Sequence, residues 1–235
     1  MKSIVAIILA RAGSKSIPNK NIVNFCGKPL LVWSIEQAKK VKEISSVWVS
    51  SDSNEILNIA KEHVTNTILR PKELSNDLSS SESGWIHAIN EIKKNGHKVD
   101  LVIALQATSP IRESSDIERG LKDFEAQQCD SMFSACSLTD LMIWERLQNE
   151  EFRSVNFDYK NRTRRQERSN QYLENGSFYI FKPEILLNNN NRLVGKIGIT
   201  LMELWKGFEI DDHESLEMCE TLMRHYLLNK EKNHE

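Results

Sequence analysis

The chain lacks several features that would fix its class at a glance. No apolar run in its 235 residues approaches the ~20 needed for a membrane-crossing helix. The N-terminal apolar stretch is shorter still and has no small-residue cleavage pattern, so it is expected to serve as a strand and not as a signal peptide. No membrane partner and a cytoplasmic location are expected. Neither charge dominates: 31 Lys and Arg against 33 Asp and Glu give a formal net charge of −2. That balance argues against a dedicated nucleic-acid binder, and any basic site must be local. Cysteine is scarce. Cys26, Cys129, Cys136 and Cys219 show no CxxC spacing and read as buried free thiols of a reducing compartment. The six histidines show no metal-ligand spacing. Neither the GxxxxGK[ST] phosphate loop nor the GxGxxG dinucleotide fingerprint occurs.

What is present is an alternation of strand-like and helix-like segments, which predicts an α/β fold: a mostly parallel sheet with helices on both faces. Strands are expected at Ile4–Ala10, Ser46–Ser50, Thr65–Leu69, Val99–Leu105 and Asp130–Cys136, with a turn and strand at Asn175–Phe181. Helices are expected at Pro29–Val41, Ser53–Glu62, Glu82–Lys94, Asp116–Gln127 and His213–Leu228. Asn188–Asn191 reads as a short polar loop and Lys230–Glu235 as a frayed tail. From about 137 to 171 the alternation fades and charge thickens, notably at Arg162, Arg164, Arg165 and Arg168. So long an excursion is uncommon in a compact domain unless functional. The reading is one domain over 1–235 with an inserted subunit-contact arm at about 137–171.

The richest chemistry follows the first strand. Arg11-Ala12-Gly13-Ser14-Lys15-Ser16-Ile17-Pro18-Asn19-Lys20-Asn21 leaves an apolar strand with three cations, a glycine and small hydroxyls. Open α/β sheets bind ligands at the carboxyl ends of their strands, and such a loop suits a polyphosphate, on which backbone N–H groups and cations converge. A second set is acidic. Glu209 and Asp211 stand two apart on an expected extended segment, so both face one way and suit one Mg²⁺ (or Mn²⁺), while Asp212 suits a helix cap.

Ala10 to Asn21 matches the pattern ARxGSKxIxxKN at every fixed position, and the chain resembles the CMP-sialic acid synthetases over about Ile4–Leu228. These cytidylyltransferases activate nonulosonic acids such as neuraminic, legionaminic and pseudaminic acid. The resemblance implies a Rossmann-like nucleotidyltransferase fold. It implies attack of the sugar's anomeric hydroxyl on the α-phosphate of CTP, with loss of pyrophosphate. Arg11, Lys20 and Asp211 are then the catalytic set. Gly13, Ser14, Lys15 and Asn21 join them around the nucleotide, with Arg70, Asp77, Ser79 and Ser81 reading cytosine and ribose. Leu105-Gln106-Ala107-Thr108-Ser109-Pro110-Ile111-Arg112 resembles the family's LQPTSPLR, with Ala107 for the usual proline, and puts Gln106, Thr108 and Ser109 at the sugar. Leu173 to Tyr179 resembles its xxNGxxY and adds Tyr172, Asn175 and Tyr179. Arg165, whose planar fork suits a carboxylate, would lie on an arm that crosses to a second subunit, giving a homodimer with shared active sites. Other departures are Glu209 for a common Asp, Trp144 for an arm lysine, and Arg192-Leu193 for an aromatic pair. CMP-Kdo synthetase and a non-catalytic nucleotide-binding protein are the alternatives.

Overall fold

The computed structural model describes residues 2–138, 141–148 and 150–229, apart from the side chain of Arg165. The expected tail Lys230–Glu235 lies outside the described residues. Among the described residues, eleven strands and six α-helices follow in chain order: β1 (Ile4–Leu9), β2 (Asn24–Phe25), β3 (Lys28–Pro29), α1 (Leu30–Lys40), β4 (Ile44–Ser51), α2 (Asn54–Glu62), β5 (Asn66–Leu69), α3 (Ser81–Lys94), β6 (Leu101–Gln106), α4 (Ser114–Ala126), β7 (Ser131–Leu138), β8 (Trp144–Arg146), β9 (Phe152–Ser154), β10 (Gln171–Phe181), α5 (Pro183–Asn189), β11 (Ile197–Met202) and α6 (His213–Met223).

Seven strands form one sheet in the order β11-β7-β10-β6-β1-β4-β5. All pairings are parallel except those of β10, which runs against both β6 and β7. The period-two geometry of a strand divides β1 and β6 between two cores. Ala6, Ile8, Ile103 and Leu105 meet α1, α2 and α4 through Leu31, Ile35, Ile56 and Ile117. Val5, Ile7, Val102 and Ala104 meet α3 and α5 through Trp85, Ile89 and Leu186. Both faces of the central strands are therefore apolar, which is why they read as continuous hydrophobic runs.

The chain leaves β1 toward β4 and β5 on one side and returns through β6 on the other. Adjacent parallel strands with connections running apart open a crevice at their carboxyl ends. The loops after β1, β5 and β6 border that crevice.

Most expected elements stand within two residues of their predicted ends. The exceptions have physical causes. In β11 the buried positions are Gly198, Thr200 and Met202, while Ile197 and Leu201 face outward. The inward face of this edge strand is too small and polar to give an apolar signal. Helix α5 was not anticipated either, and Asn188–Asn189 are its last turn, with Asn190 closing it in the left-handed region at φ 50°. Strand β10 starts at Gln171, and its pairing with β7 shifts register between Glu174 and Tyr179. Helix α6 has Asp212 as its expected cap, accepting from Ser215 N within a capping box. After Met223 it widens into a π-type turn, Arg224–Leu228. All four cysteines are free, and Cys129, Cys136 and Cys219 are buried. Between β7 and β10 the chain makes the small β8–β9 hairpin, on which Trp144 packs against Phe157 and Tyr159.

Candidate active site

A cleft of about 460 Å³ lies at the crevice. The β1 loop lines it with Arg11, Ser14, Lys15, Lys20 and Asn21, the segment after β5 with Arg70, Ser75, Asp77 and Ser79, the first turns of α3 with Ser81 and Trp85, and the end of β6 with Gln106 and Thr108. Residues up to about a hundred positions apart in sequence thus share one concave surface.

The β1 loop is held from beneath. Asp52, just past β4, accepts from Ala12 N at 3.0 Å, and buried Asn21 donates its amide to Arg11 O at 2.9 Å. Asn21 therefore fixes the loop as well as lining the cleft. The cations it presents all meet carboxylates. Arg11 Nη1 lies 2.9 Å from Asp77 Oδ1 and Lys15 Nζ 2.7 Å from Asp77 Oδ2. Those two bonds, Lys15 first, hold the Asp77 carboxyl below its ordinary range. Lys20 Nζ donates to Ile210 O at 2.9 Å and lies 3.3 Å from Asp211 Oδ1. Arg70 is buried, with Nε donating to Ser75 Oγ at 2.8 Å, and burial lowers its pKa against the opposing pull of Asp52. Ser80 caps α3 by accepting from Ser83 N, and the amino end of this helix opens on the cleft, where its dipole favours an anion.

The acidic segment approaches from the other side. Ile210 N donates to Thr108 O, Ser16 Oγ bonds to Asp211 O, and Lys20 takes Ile210 O, so Glu209–Asp211 is tied to the loops after β1 and β6. Glu209 packs on Gly176, where φ is +62° and an added Cβ would overlap its carboxyl and come 2.8 Å from Gln106 Nε2. Burial and then the charge of Asp211 raise the pKa of Glu209. Half-buried Glu209 and exposed Asp211, which meets Lys20, are the two carboxylates this segment would offer a divalent cation. Mg²⁺ commonly takes one or two carboxylates and completes its shell with water and phosphate oxygens. Among the described residues no group of three or more His, Cys, Asp or Glu offers a denser site.

Several expected site residues stand elsewhere. Gly13 is exposed beside the cleft and a Cβ there would meet open space, so no steric reason demands glycine. Ser109 is 1% exposed, with its hydroxyl pointing to no partner, beneath the β6 loop. Asn175 is turned into the sheet: its Oδ1 accepts from Ser134 Oγ at 2.6 Å and its Nδ2 meets Met202 Sδ at 3.3 Å. It holds the register shift of β10 and has no free polar group for a sugar. Tyr179 is also buried, its ring beside Trp85 and under the Arg192 guanidinium and its hydroxyl on Glu174. Tyr172 is exposed on the overhang of β10, opposite Ser137. The side chain of Arg165 lies outside the described residues.

Two positions, Trp85 and Lys206, escaped the sequence reading, and Arg112, read there only as the end of the motif after β6, takes a structural role. Trp85 sits at a helix-periodic apolar position, indistinguishable from core until α3 is docked. Arg112 is wholly buried and donates to Ser177 O at 2.6 Å and Gln106 O at 3.1 Å, which pins the ends of β6 and β10 together. Burial pulls its pKa down to about 9 against the opposing charge of Asp116. Lys206, 1% exposed, meets Glu113, Asp116 and Glu203 at 2.8–3.0 Å and anchors the chain just before Glu209.

Residues 5–233 match a family model described as cytidylyltransferase. Among curated proteins, the chain is 36% identical over 183 residues to the N-acylneuraminate cytidylyltransferase of Oncorhynchus mykiss, a match covering 77% of the chain and 41% of that protein. The chain thus spans about two-fifths of the length of this relative. It is 29% identical over 226 residues to the pseudaminic acid cytidylyltransferase of Campylobacter jejuni, covering 95% of the chain and 97% of that protein. Among solved structures, CMP:2-keto-3-deoxy-manno-octonic acid synthetase complexed with CTP superimposes with a TM-score of 0.71 at 17% identity, over 96% of this chain and all of that one. At that identity the likeness is one of fold.

Proposed function

Because the chain belongs to the cytidylyltransferase family, we propose that it joins CTP to a nonulosonic acid, giving the CMP-sugar and pyrophosphate. The observation that carries this reading is the convergence of Arg11, Lys15 and Lys20 on one cleft with Arg70 and Gln106. Nucleotidyl transfer needs positioning and charge neutralisation more than covalent chemistry. Arg11, Lys15 and Lys20 meet the triphosphate, with the amino end of α3 beside them. Arg70, Ser79 and Ser81 face the base and ribose. Gln106 and Thr108 orient the sugar so that its anomeric hydroxyl lies in line with the α-phosphorus. Lys20 stabilises the charge that grows on the phosphate oxygens as pyrophosphate departs. Glu209 and Asp211 hold a Mg²⁺, which when bound neutralises phosphate charge and polarises the phosphorus.

Correspondence with the Campylobacter protein over nearly the whole of both chains supports a pseudaminic-type acid as the first sugar to test. The arm between β7 and β10 exposes Leu141, Ile143, Trp144, Phe152 and Val155. Covering them against a second copy is the role proposed for the arm, and a monomer in sedimentation at assay concentration would remove it. No described helix is long and apolar enough to cross a membrane.

The test is pyrophosphate release from CTP and Mg²⁺ with pseudaminic, legionaminic and neuraminic acids in parallel. Lys20→Ala is expected to lower kcat about 100-fold or more, as loss of a donor to developing charge does elsewhere, with an unchanged melting temperature. No release with any of the acids, or native turnover in Lys20→Ala, would overturn the assignment.

A further inference from the structure

Asp77 is an anion set among the cations of a cleft proposed to take an anion. A carboxylate cannot itself add to the binding of a triphosphate. Its position is nevertheless specific: its two oxygens separately engage Arg11 and Lys15, which both line the cleft.

The segment that carries it is braced internally. Arg70 Nε bonds to Ser75 Oγ, Leu78 N to Asn76 Oδ1, and Ser79 Oγ to Glu73 O. Asp77 reaches out of this braced turn, across the mouth of the cleft, to the opposite loop. Lys20, the third cation, meets Asp211 in the same way.

We propose that Asp77 is a built-in competitor for the triphosphate: it neutralises Arg11 and Lys15 while the cleft is empty and gives them up when a polyphosphate enters. This rests on reading the cleft as a triphosphate site, and it assigns Asp77 the part of a displaced counter-ion in place of a nucleotide contact. Without a counter-ion, Arg11 and Lys15 would repel each other on their shared loop and would suit any passing anion. With Asp77 in place, a single carboxylate or phosphate gains little, because one charge is exchanged for another. A chain of phosphates gains more, because it meets Arg11, Lys15 and Lys20 together. The exchange therefore screens the cations while the cleft is empty and lets the pyrophosphate product leave against a waiting anion.

The experiment measures binding of inorganic triphosphate and of CTP to the native protein and to Asp77→Asn, by calorimetry at fixed low salt. Asparagine keeps the size of the side chain and, at this exposed position, the fold. Exposed ion pairs are individually weak, so a modest gain is expected, with triphosphate binding about three- to ten-fold tighter to Asp77→Asn. Orthophosphate should gain by no larger a factor, because both anions displace the same carboxylate and it carries less charge. Equal or weaker triphosphate binding in Asp77→Asn, or no binding to either protein, would overturn the proposal, the weaker result meaning that Asp77 holds the cations in a binding geometry. Failure of CTP to bind either protein while triphosphate binds Asp77→Asn more tightly would sink the cytidylyl reading and leave the competitor standing.

Discussion

Gly176 offers the sharpest test of how the acidic segment meets the cleft. Its φ of +62° lies in the left-handed region, where a side chain costs about 1–2 kcal/mol. An added methyl would also overlap the Glu209 carboxyl and press Gln106 Nε2 at 2.8 Å, and overpacking of this kind costs about 1–3 kcal/mol. Gly96 supplies the control. It has φ +82° and nothing within 4 Å of the position a Cβ would take, so Gly96→Ala carries the backbone term alone. In a chain of this size 1 kcal/mol moves the melting temperature by about 2–4 °C. Gly96→Ala should therefore lose ~2–8 °C, and Gly176→Ala distinctly more unless Glu209 swings aside. If it does swing aside, the loss appears in turnover, at about 10- to 100-fold, because misplacing a site group by about an ångström suffices. Calorimetric melting and pyrophosphate release on both variants decide the matter. A Gly176→Ala protein that melts with Gly96→Ala and turns over like the native enzyme would refute the claim that Gly176 is the floor on which Glu209 is placed.

Two further outcomes follow from buried charge. Lys206→Met should unfold in urea with a loss of about 3 kcal/mol, the low end for breaking a buried pair, because Arg119 at 2.6 Å keeps Asp116 partnered; a loss below about 1 kcal/mol would show the cluster to be dispensable. Tyr179 is pushed up to about 12 by burial and then by its bond to Glu174. With the folded value above the unfolded value of about 10, the folded state holds the proton longer, so its share of stability is intact below pH ~10 and is lost as pH rises toward 12, by about 1.4 kcal/mol per unit. Cys26 and Cys219, raised to about 11 and about 12, act in the same direction, so the measurement is the difference in slope between native and Tyr179→Phe, the variant falling less steeply. Parallel curves would refute it.

Where short-range chemistry decides structure, the sequence sufficed. The uninterrupted apolar runs of β1 and β6 announced strands buried on both faces, and Asp212 followed by an amphipathic stretch announced the start of α6. The β1 loop announced its cations because loops at strand exits are solvated and need no charge for packing. The family resemblance put Asn175 and Ser109 at the sugar, whereas the structure turns Asn175 into the sheet and buries Ser109. A motif fixes a residue's place in the chain, but its side chain's direction depends on the register of its strand, and β10 shifts register between Glu174 and Tyr179.

By itself, the sequence determined a mostly parallel α/β sheet and a polyphosphate-suited loop, because hydrophobic period and loop chemistry are properties of neighbours in the chain. Only the tertiary structure set β10 antiparallel between β6 and β7, sent Asn175 into the core, closed Lys206 among three carboxylates and laid Asp77 across Arg11 and Lys15. Each of those outcomes joins segments that no local pattern relates. The energy that selects them, the cost of leaving a buried polar group or a charge unpaired, exists only once the sheet has brought those segments together.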